Sequence, residues 1–333
     1  MRTEKLDALI GQKCDAVLIT SNGDAPDMNL QYYSGLDATQ GSGALFWKVG
    51  RSPTLVTRDT GQKHSAHLVK RKDKDTVYKE LKALKPKRLG IYADYVPVSM
   101  AARIRRKTGA RLVDISNELT QVRAIKEKRE LACISQACFE TRKALRGLEL
   151  LGRRETDVYA DIVNYYAKEG LALAFDPIVA SGKNTTLIHT RPSARRIDRD
   201  DTVITDTGCR VNGYCSDITV TKCAEPDEQT AETLALVEDA YKLAAREARP
   251  GMRAYELCCL VRESFGKRAN YWTYGLGHGV GLDVHEFPSL GLESNDVLRE
   301  GLVFTLEPGL VGPGQGARTE FTGVLTKSGF KPL

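Results

Sequence analysis

The sequence predicts two domains in series: an α/β layer domain over residues 1–118 and an α+β domain over residues 119–333. Three observations carry this. The first third alternates short apolar runs with segments of helical period, the pattern of a layered α/β domain. A charged stretch, VRAIKEKRE, then opens a run of longer helical patterns. Strand patterns lie between and after those helices, and acidic residues sit inside them. At 333 residues the chain has length for one or two domains with a real core.

In the first domain Ala16–Thr20, Ala44–Trp47, Thr54–Thr57, Leu89–Tyr92 and Leu112–Ile115 read as buried strands. Asp75–Leu84 and Val98–Lys107 place apolar residues at helical spacing. In the second domain Lys128–Leu145 repeats Leu131, Ile134, Cys138 and Leu145, and stops at Gly147. Glu155–Lys168 carries Val158, Ile162, Val163 and Tyr166, and stops at Gly170. Asp227–Arg249 follows Pro226 with Asp227 as N-cap and ends at Pro250-Gly251. Ala254–Phe265 is a fourth helix. The strands are Ile178–Ser181, Thr202–Thr207, Gly213–Lys222, Val280–His285, Leu302–Leu306 and Glu320–Thr326.

Composition excludes several classes. Apolar residues are 41% and charged residues 28%, as in a soluble globular chain. No run of about 18 apolar residues is present, so no membrane helix is expected. The opening MRTEKLDALI lacks the apolar block of a signal peptide. Eight cysteines without regular spacing point to a reduced, cytoplasmic chain. The net charge of +6 is spread over Lys70–Lys74, Arg103–Lys107, Arg123–Arg129 and Arg191–Arg196. These basic runs are mixed with acids or lie on predicted helices. They read as solvated faces, so no nucleic-acid partner is expected.

The chemistry concentrates in five residues: Asp206, Asp217, His278, Glu307 and Glu320. Asn212-Gly213 is a strong hairpin signal. It sets Thr202–Thr207 antiparallel to Gly213–Lys222 and brings Asp206 close to Asp217, with a bulge expected near Gly208. Both acids lie inside apolar stretches, VITDTG and SDITVT, where a solvated surface role fits poorly. His278 is ringed by glycines in GLGHGVG, which let the backbone approach closely, and His285 follows seven residues later. Glu307 ends the apolar run VFTL before Pro308-Gly309, where burial without a partner is costly. Glu320, in RTEFTGVL, carries the same argument, with an ion pair to Arg318 as the plain alternative. Four carboxylates converging on one place repel one another unless cations lie between them. One His among four carboxylates is a hard ligand set, suited to a close pair of Mn²⁺, Co²⁺, Fe²⁺ or Zn²⁺ rather than a cysteine-bound structural zinc. A close metal pair is hydrolase chemistry. Cys209, Cys215 and Cys223 lie near this region and read as ordinary packing.

Taken in order, Asp206, Asp217 eleven residues on, GHGVG with His278, EPG with Glu307, and Glu320 resemble the metal-dependent pita-bread peptidases. Within them the chain is similar to the Xaa-Pro aminopeptidase and prolidase branch over essentially its whole length. VFTLEPGLVGPGQGARTE and GHGVGLDVHEFP are close to the family's wording. Residues 1–118, including NLQYYSGL at Asn29–Leu36, resemble the creatinase/prolidase N-terminal domain that methionine aminopeptidases lack.

The resemblance implies that Asp206 chelates one metal, His278 with Glu307 the other, and that Asp217 and Glu320 bridge both, with a hydroxide between the metals as nucleophile. Manganese leads the implied metals, with Co, Zn or Fe as alternatives. His189, in LIHTRPSARR, and His285 match the family's two active-site histidines, and Glu307 its proton shuttle. A homodimer is implied, as is a peptide substrate with proline at position 2. The expected activity is Xaa-Pro aminopeptidase. The alternatives are Xaa-Pro dipeptidase, a metal-dependent hydrolase of a non-peptide small molecule, and a non-catalytic binding module. Three positions depart from the family: Val220 where Arg is common, Phe321 where Asp often follows the last Glu, and Ser289 where some prolidases carry an Arg for a dipeptide's carboxylate. Ser289 favours longer peptides.

Overall fold

The computed structural model describes residues 2–21, 26–39, 41–61, 64–73 and 75–333. Met1 and Lys74, the last residue of the Lys70–Lys74 basic run, lie outside them. The chain divides into two compact units, Met1–Arg123 and Ala124–Leu333. Among the described residues no helix is long and apolar enough to cross a membrane.

Among the described residues the first unit holds six strands, β1 (Ala16–Ser21), β2 (Gly43–Lys48), β3 (Thr54–Thr57), β4 (His67–Lys70), β5 (Arg88–Ile91) and β6 (Arg111–Asp114). They form one mixed sheet in the order β4-β3-β2-β1-β5-β6. β1 is central and buried along its length, as a strand covered on both faces requires. Helices α1 (Arg2–Ile10), α2 (Met28–Ser34), α3 (Thr76–Ala83), α4 (Val98–Thr108) and α5 (Ser116–Ala124) complete it. Leu81 of α3 and Ile104 of α4 pack on Leu18, Phe46 and Leu89. The sequence reading found α3, α4 and five of these strands, and missed β4. HLVK is a four-residue edge strand with exposed ends, so its composition carries little burial signal.

The second unit carries helices α6 (Lys128–Arg146), α7 (Glu155–Lys168), α8 (Glu228–Glu247) and α9 (Ala254–Ser264). Asp227 caps α8 by accepting the Thr230 N–H at 2.7 Å, as its position before the helix predicts. The strands are β7 (Ala172–Leu173), β8 (Ile178–Ser181), β9 (Val203–Thr207), β10 (Cys209–Val211), β11 (Tyr214–Cys215), β12 (Ile218–Lys222), β13 (Gly277–Gly279), β14 (Glu286–Leu290), β15 (Val303–Leu306), β16 (Gly309–Val311), β17 (Gly316–Arg318), β18 (Glu320–Thr326) and β19 (Gly329–Pro332). The main sheet runs β14-β13-β15-β18-β12-β9-β8, with β19 also on β18. Ala137, Val158, Ile162 and Tyr166 of α6 and α7 pack against Val179 and Val203. Val237, Leu257 and Val261 of α8 and α9 pack against Phe304, Leu306 and Leu325. Leu306 is fully buried beside Glu307, so truncating it to Ala costs about 2–5 kcal/mol and loosens the strand that carries that carboxylate.

Three local expectations need correction. Gly213–Lys222 is two strands, broken at Ser216-Asp217 where β11 leaves the sheet that β12 joins. No bulge forms near Gly208. Arg210 pairs with Cys215 and Thr207 with Ile218 in one unshifted register, set by the Asn212-Gly213 turn, where both residues have positive φ (50° and 86°). Val280–His285 is a bend between β13 and β14 rather than a strand. Its Gly281 N–H turns back to the Asp283 carbonyl at 3.0 Å, which uses up the donor that a ladder would need.

Candidate metal centre

One row of the main sheet assembles the acids. Asp206 on β9 sits opposite Thr219 on β12, and Thr219 sits opposite Glu320 on β18. Directly opposed residues share a face. Asp217 is two residues before Thr219, so it shares that face as well. Leu306 pairs with Phe321, and Glu307 follows at the end of β15, its N–H bonded to the Leu276 carbonyl at 2.8 Å. Asp206, Asp217 and Glu320 are buried. His278 and Glu307 keep 16% side-chain exposure each, so the cluster opens to solvent on their side.

His278 reaches this face because β13 lies unusually close to its neighbours. A side chain on Gly277 would sit 2.0 Å from the Thr305 carbonyl oxygen, and one on Gly279 2.1 Å from that of Phe287. Only glycine fits either position. The His278 N–H donates to Thr305 Oγ1 at 3.1 Å. Its Nδ1 lies 3.2 Å from the Gly279 carbonyl oxygen. A carbonyl only accepts, so the proton belongs on Nδ1 and Nε2 presents a lone pair. That Nε2 is 3.6 Å from both Asp217 Oδ2 and Glu307 Oε1, too far for hydrogen bonds. The spacing suits atoms turned toward a common centre.

Ligand atoms within 4.8 Å of one another form three overlapping groups: Asp206, Asp217 and Glu320; His278, Glu307 and Glu320; and Asp217, His278 and His285. The donor set fits divalent cations on two further counts. Asp206 Oδ1 and Asp217 Oδ1 are buried without any hydrogen-bond partner, a costly arrangement unless a cation satisfies them. The carboxylates also crowd one another. Burial first, then Glu320, Asp206 and Glu307, hold the Asp217 carboxyl well above the usual range. Burial, then Glu307 and Asp206, do the same to Glu320. Burial pushes Glu307 up to about 7, against the opposing pull of Arg318. His278 is pushed down to about 4 by burial and by the neighbouring His285.

Arg318 is the buried cation here. Its Nη2 donates to Asp206 Oδ2 at 2.6 Å and its Nε to Thr219 Oγ1 at 3.1 Å. Thr219 Oγ1 in turn donates to Glu320 Oε2 at 2.6 Å. The Arg318 ion pair, the plain alternative for Glu320, is therefore made with Asp206 instead, and Thr219 links Arg318 to Glu320. Sequence reasoning passed over Thr219, although its place two residues after Asp217 puts it on the same strand face.

His285 lies in the bend, its ring 4.1 Å from that of His278 and nearly perpendicular to it. His189 is exposed on the segment after the short 3₁₀ helix Gly182–Thr186. Burial, then the charge of His189, lower the His285 pKa. The structure therefore gathers Asp206, Asp217, His278, Glu307, Glu320 and His285, with His189 within electrostatic reach. Of the nearby cysteines, Cys209 and Cys215 are buried, and burial pushes the Cys215 thiol up to about 12, an environment of packing rather than of reactivity.

A buried carboxylate cluster on an antiparallel sheet, opening toward two histidines, defines a metallohydrolase-type centre, and the comparisons agree. Residues 126–327 match metallopeptidase family M24 and residues 2–125 match the creatinase/prolidase N-terminal domain. An Xaa-Pro dipeptidase of Pyrococcus horikoshii is 34% identical, covering 96% of this chain and 92% of that protein. Among solved structures, the prolidase from Pyrococcus horikoshii OT3 superposes with a TM-score of 0.90 at 32% identity, covering 99% of this chain and 97% of the other. The X-Pro aminopeptidase from Thermotoga maritima superposes with a TM-score of 0.87 at 28% identity, covering 98% and 97%. The chain belongs to metallopeptidase family M24, with a creatinase/prolidase N-terminal domain ahead of a pita-bread catalytic domain.

Proposed function

We propose that this chain hydrolyses the bond before proline in Xaa-Pro dipeptides. The observation that carries the reading is the row Asp206–Thr219–Glu320, flanked by Asp217, His278 and Glu307. The extent of similarity to Xaa-Pro dipeptidases supports the substrate. Asp206, Asp217, His278, Glu307 and Glu320 would hold two divalent cations, manganese before cobalt, zinc or iron. When bound, such a pair supplies an activated water and an electrophile for the scissile carbonyl. Glu307, the most exposed of the four carboxylates, takes a proton from water at one carboxylate oxygen and returns it to the leaving prolyl nitrogen. His285 and His189, on the open side, hydrogen-bond the substrate and steady the oxyanion. Proline at the second position suits a pocket that asks no N–H of the scissile amide. A cytoplasmic homodimer belongs to the same reading.

One residue favours a second reading, an aminopeptidase acting on longer peptides. Ser289 is exposed, and its backbone N–H is given to Asp296 Oδ2 at 2.9 Å. It offers no cation to a dipeptide's carboxylate. The test is a panel of Xaa-Pro dipeptides, Xaa-Pro-Yaa and longer peptides, and matched Xaa-Ala controls, incubated with manganese-loaded protein and read by mass spectrometry. Cleavage of the dipeptides alone supports the dipeptidase. Cleavage of the longer peptides with dipeptides untouched moves the assignment to aminopeptidase. No cleavage with metal bound removes both and leaves a non-peptide substrate.

A further inference from the structure

Glu155 opens α7, and its side chain is completely buried. Among the described residues no lysine or arginine forms an ion pair with it. Its carboxylate instead collects six hydrogen bonds from neutral donors. Oε1 accepts from the Ser181 N–H and Oγ, both at 2.7 Å, and from Asn184 Nδ2 at 3.0 Å. Oε2 accepts from Asn184 Nδ2 at 3.1 Å, the Ser193 N–H at 2.9 Å and Ser193 Oγ at 2.6 Å. Burial alone would raise this carboxyl, but the bonds from Ser193 and Ser181 hold it below the usual range. A buried, ionised carboxylate is expensive unless every lone pair is used, and here they are.

What it bonds is specific. Ser181 is the last residue of β8, and Ser193 lies in the irregular stretch between the 3₁₀ helix and β9. His189 lies between them. The backbone repeats the tie, since the Glu155 and Thr156 N–H groups donate to the Arg195 and Ser193 carbonyls at 3.1 Å each. Arg195 adds a brace, with Nη1 on Ser181 Oγ at 3.2 Å and Nη2 on Asp201 Oδ1 at 2.8 Å. The exposed His189 segment is thus pinned at both ends by one side chain while its middle stays open to solvent.

We propose that Glu155 is a positioning residue for His189: its carboxylate ties Ser181 and Asn184 to Ser193 and so fixes where the imidazole stands relative to the carboxylate cluster. The inference rests on the reading above, in which His189 serves the reaction.

The experiment uses the full-length metal-loaded protein and a double-mutant cycle of Glu155→Gln with His189→Ala. The amide keeps the shape of the carboxylate, but its one oxygen can accept from the Ser181 N–H or from the Ser193 N–H, not from both. Glu155→Gln should lower kcat by roughly 10- to 100-fold, as a small misplacement does, with metal content unchanged. In the His189→Ala background the same substitution should change kcat by less than about twofold, the non-additivity of residues acting as one unit. An equal loss in both backgrounds, or wild-type kcat in Glu155→Gln alone, overturns the proposal. If Glu155→Gln does not fold, Ser193→Ala removes the Oγ bond to Glu155, together with those that Oγ accepts from Asn184 Nδ2 at 3.3 Å and the Arg195 N–H at 3.1 Å, and runs the same cycle. Trypsin cleavage after the exposed Lys183 gives a readout independent of turnover. Glu155→Gln should speed that cleavage about tenfold or more, and an unchanged rate overturns the tie. Wild-type kcat in His189→Ala would instead sink the functional reading of His189, whatever the cleavage shows.

Discussion

Arg318 turns its Nη2 onto Oδ2 of Asp206 at 2.6 Å and leaves Oδ1 of the same carboxylate buried with no partner. One oxygen is neutralised from within the protein and the other is held for something else. The pair is nearly sealed from solvent, at 7% and 10% side-chain exposure. Removing one member of such a pair strands a buried charge. Arg318→Met should therefore cost about 3–5 kcal/mol in denaturant unfolding of the metal-free protein. A loss below about 1 kcal/mol would mean that Asp206 is satisfied without it.

Glu307 is the one carboxylate of the cluster given two tasks, metal ligand and proton carrier. Glu307→Ala should abolish turnover, and Glu307→Gln should lower kcat by about 10²–10⁴-fold, the range of a lost general acid–base. Steady-state kinetics beside metal analysis separates the two roles. Wild-type kcat in either variant removes the proton-carrier assignment.

The metal-free protein should lose stability as the pH rises. In the folded state Glu307 is raised from the ordinary glutamate value of 4.5 to about 7, and burial and neighbouring carboxylates hold Asp217 and Glu320 well above the usual range as well. A group whose folded pKa is raised contributes stability below its unfolded pKa and loses it as the pH climbs through the folded one. His278, pushed down to about 4 from 6.5, opposes this loss below pH 6.5, so the melting temperature of the metal-free protein should fall between about pH 6.5 and 8. Added Mn²⁺ should remove that fall, and its apparent affinity should drop in acid, where it competes with protons. A melting temperature that rises across this window without metal would contradict the account.

Lys126 and Glu286 form a second buried pair, Nζ to Oε1 at 2.5 Å, with 1% and 7% side-chain exposure. Glu286 follows His285 and starts β14, so this pair anchors the bend that carries His285. Lys126→Met should cost about 3–5 kcal/mol by removing the buried cation paired with Glu286, and should lower kcat more than it changes metal content. The double variant Lys126→Met/Glu286→Gln should recover a good part of the stability. Thermal melts of the three variants decide this, and equal melting temperatures for the single and double variants would contradict it.

Much of this site is legible in the sequence because the acids interrupt apolar strands. VITDTG, SDITVT and VFTLEP each place a carboxylate where an alternating or buried strand would carry an apolar residue. The hairpin register between Asp206 and Thr219 follows from the Asn212-Gly213 turn alone. The pairing of Thr219 with Glu320 spans 101 residues, and no local pattern encodes it. The bend at Gly281–His285 reads as a strand because GVGLDVH alternates, while the Gly281–Asp283 backbone bond that folds it is invisible at the level of residue types. Glu155 is the least legible of all. After Arg153 and Arg154 it looks like an exposed acid in a first helical turn, and only the tertiary fold brings Ser181, Asn184 and Ser193 to it.

The central claim is that Asp206, Asp217, His278, Glu307 and Glu320 hold two divalent cations. The most direct test is the manganese content per chain after reconstitution and exhaustive dialysis, for the wild type and for Asp217→Asn. The account predicts two ions in the wild type and loss of at least one in the variant. A wild-type chain that retains none, or an Asp217→Asn chain that keeps both, would contradict it.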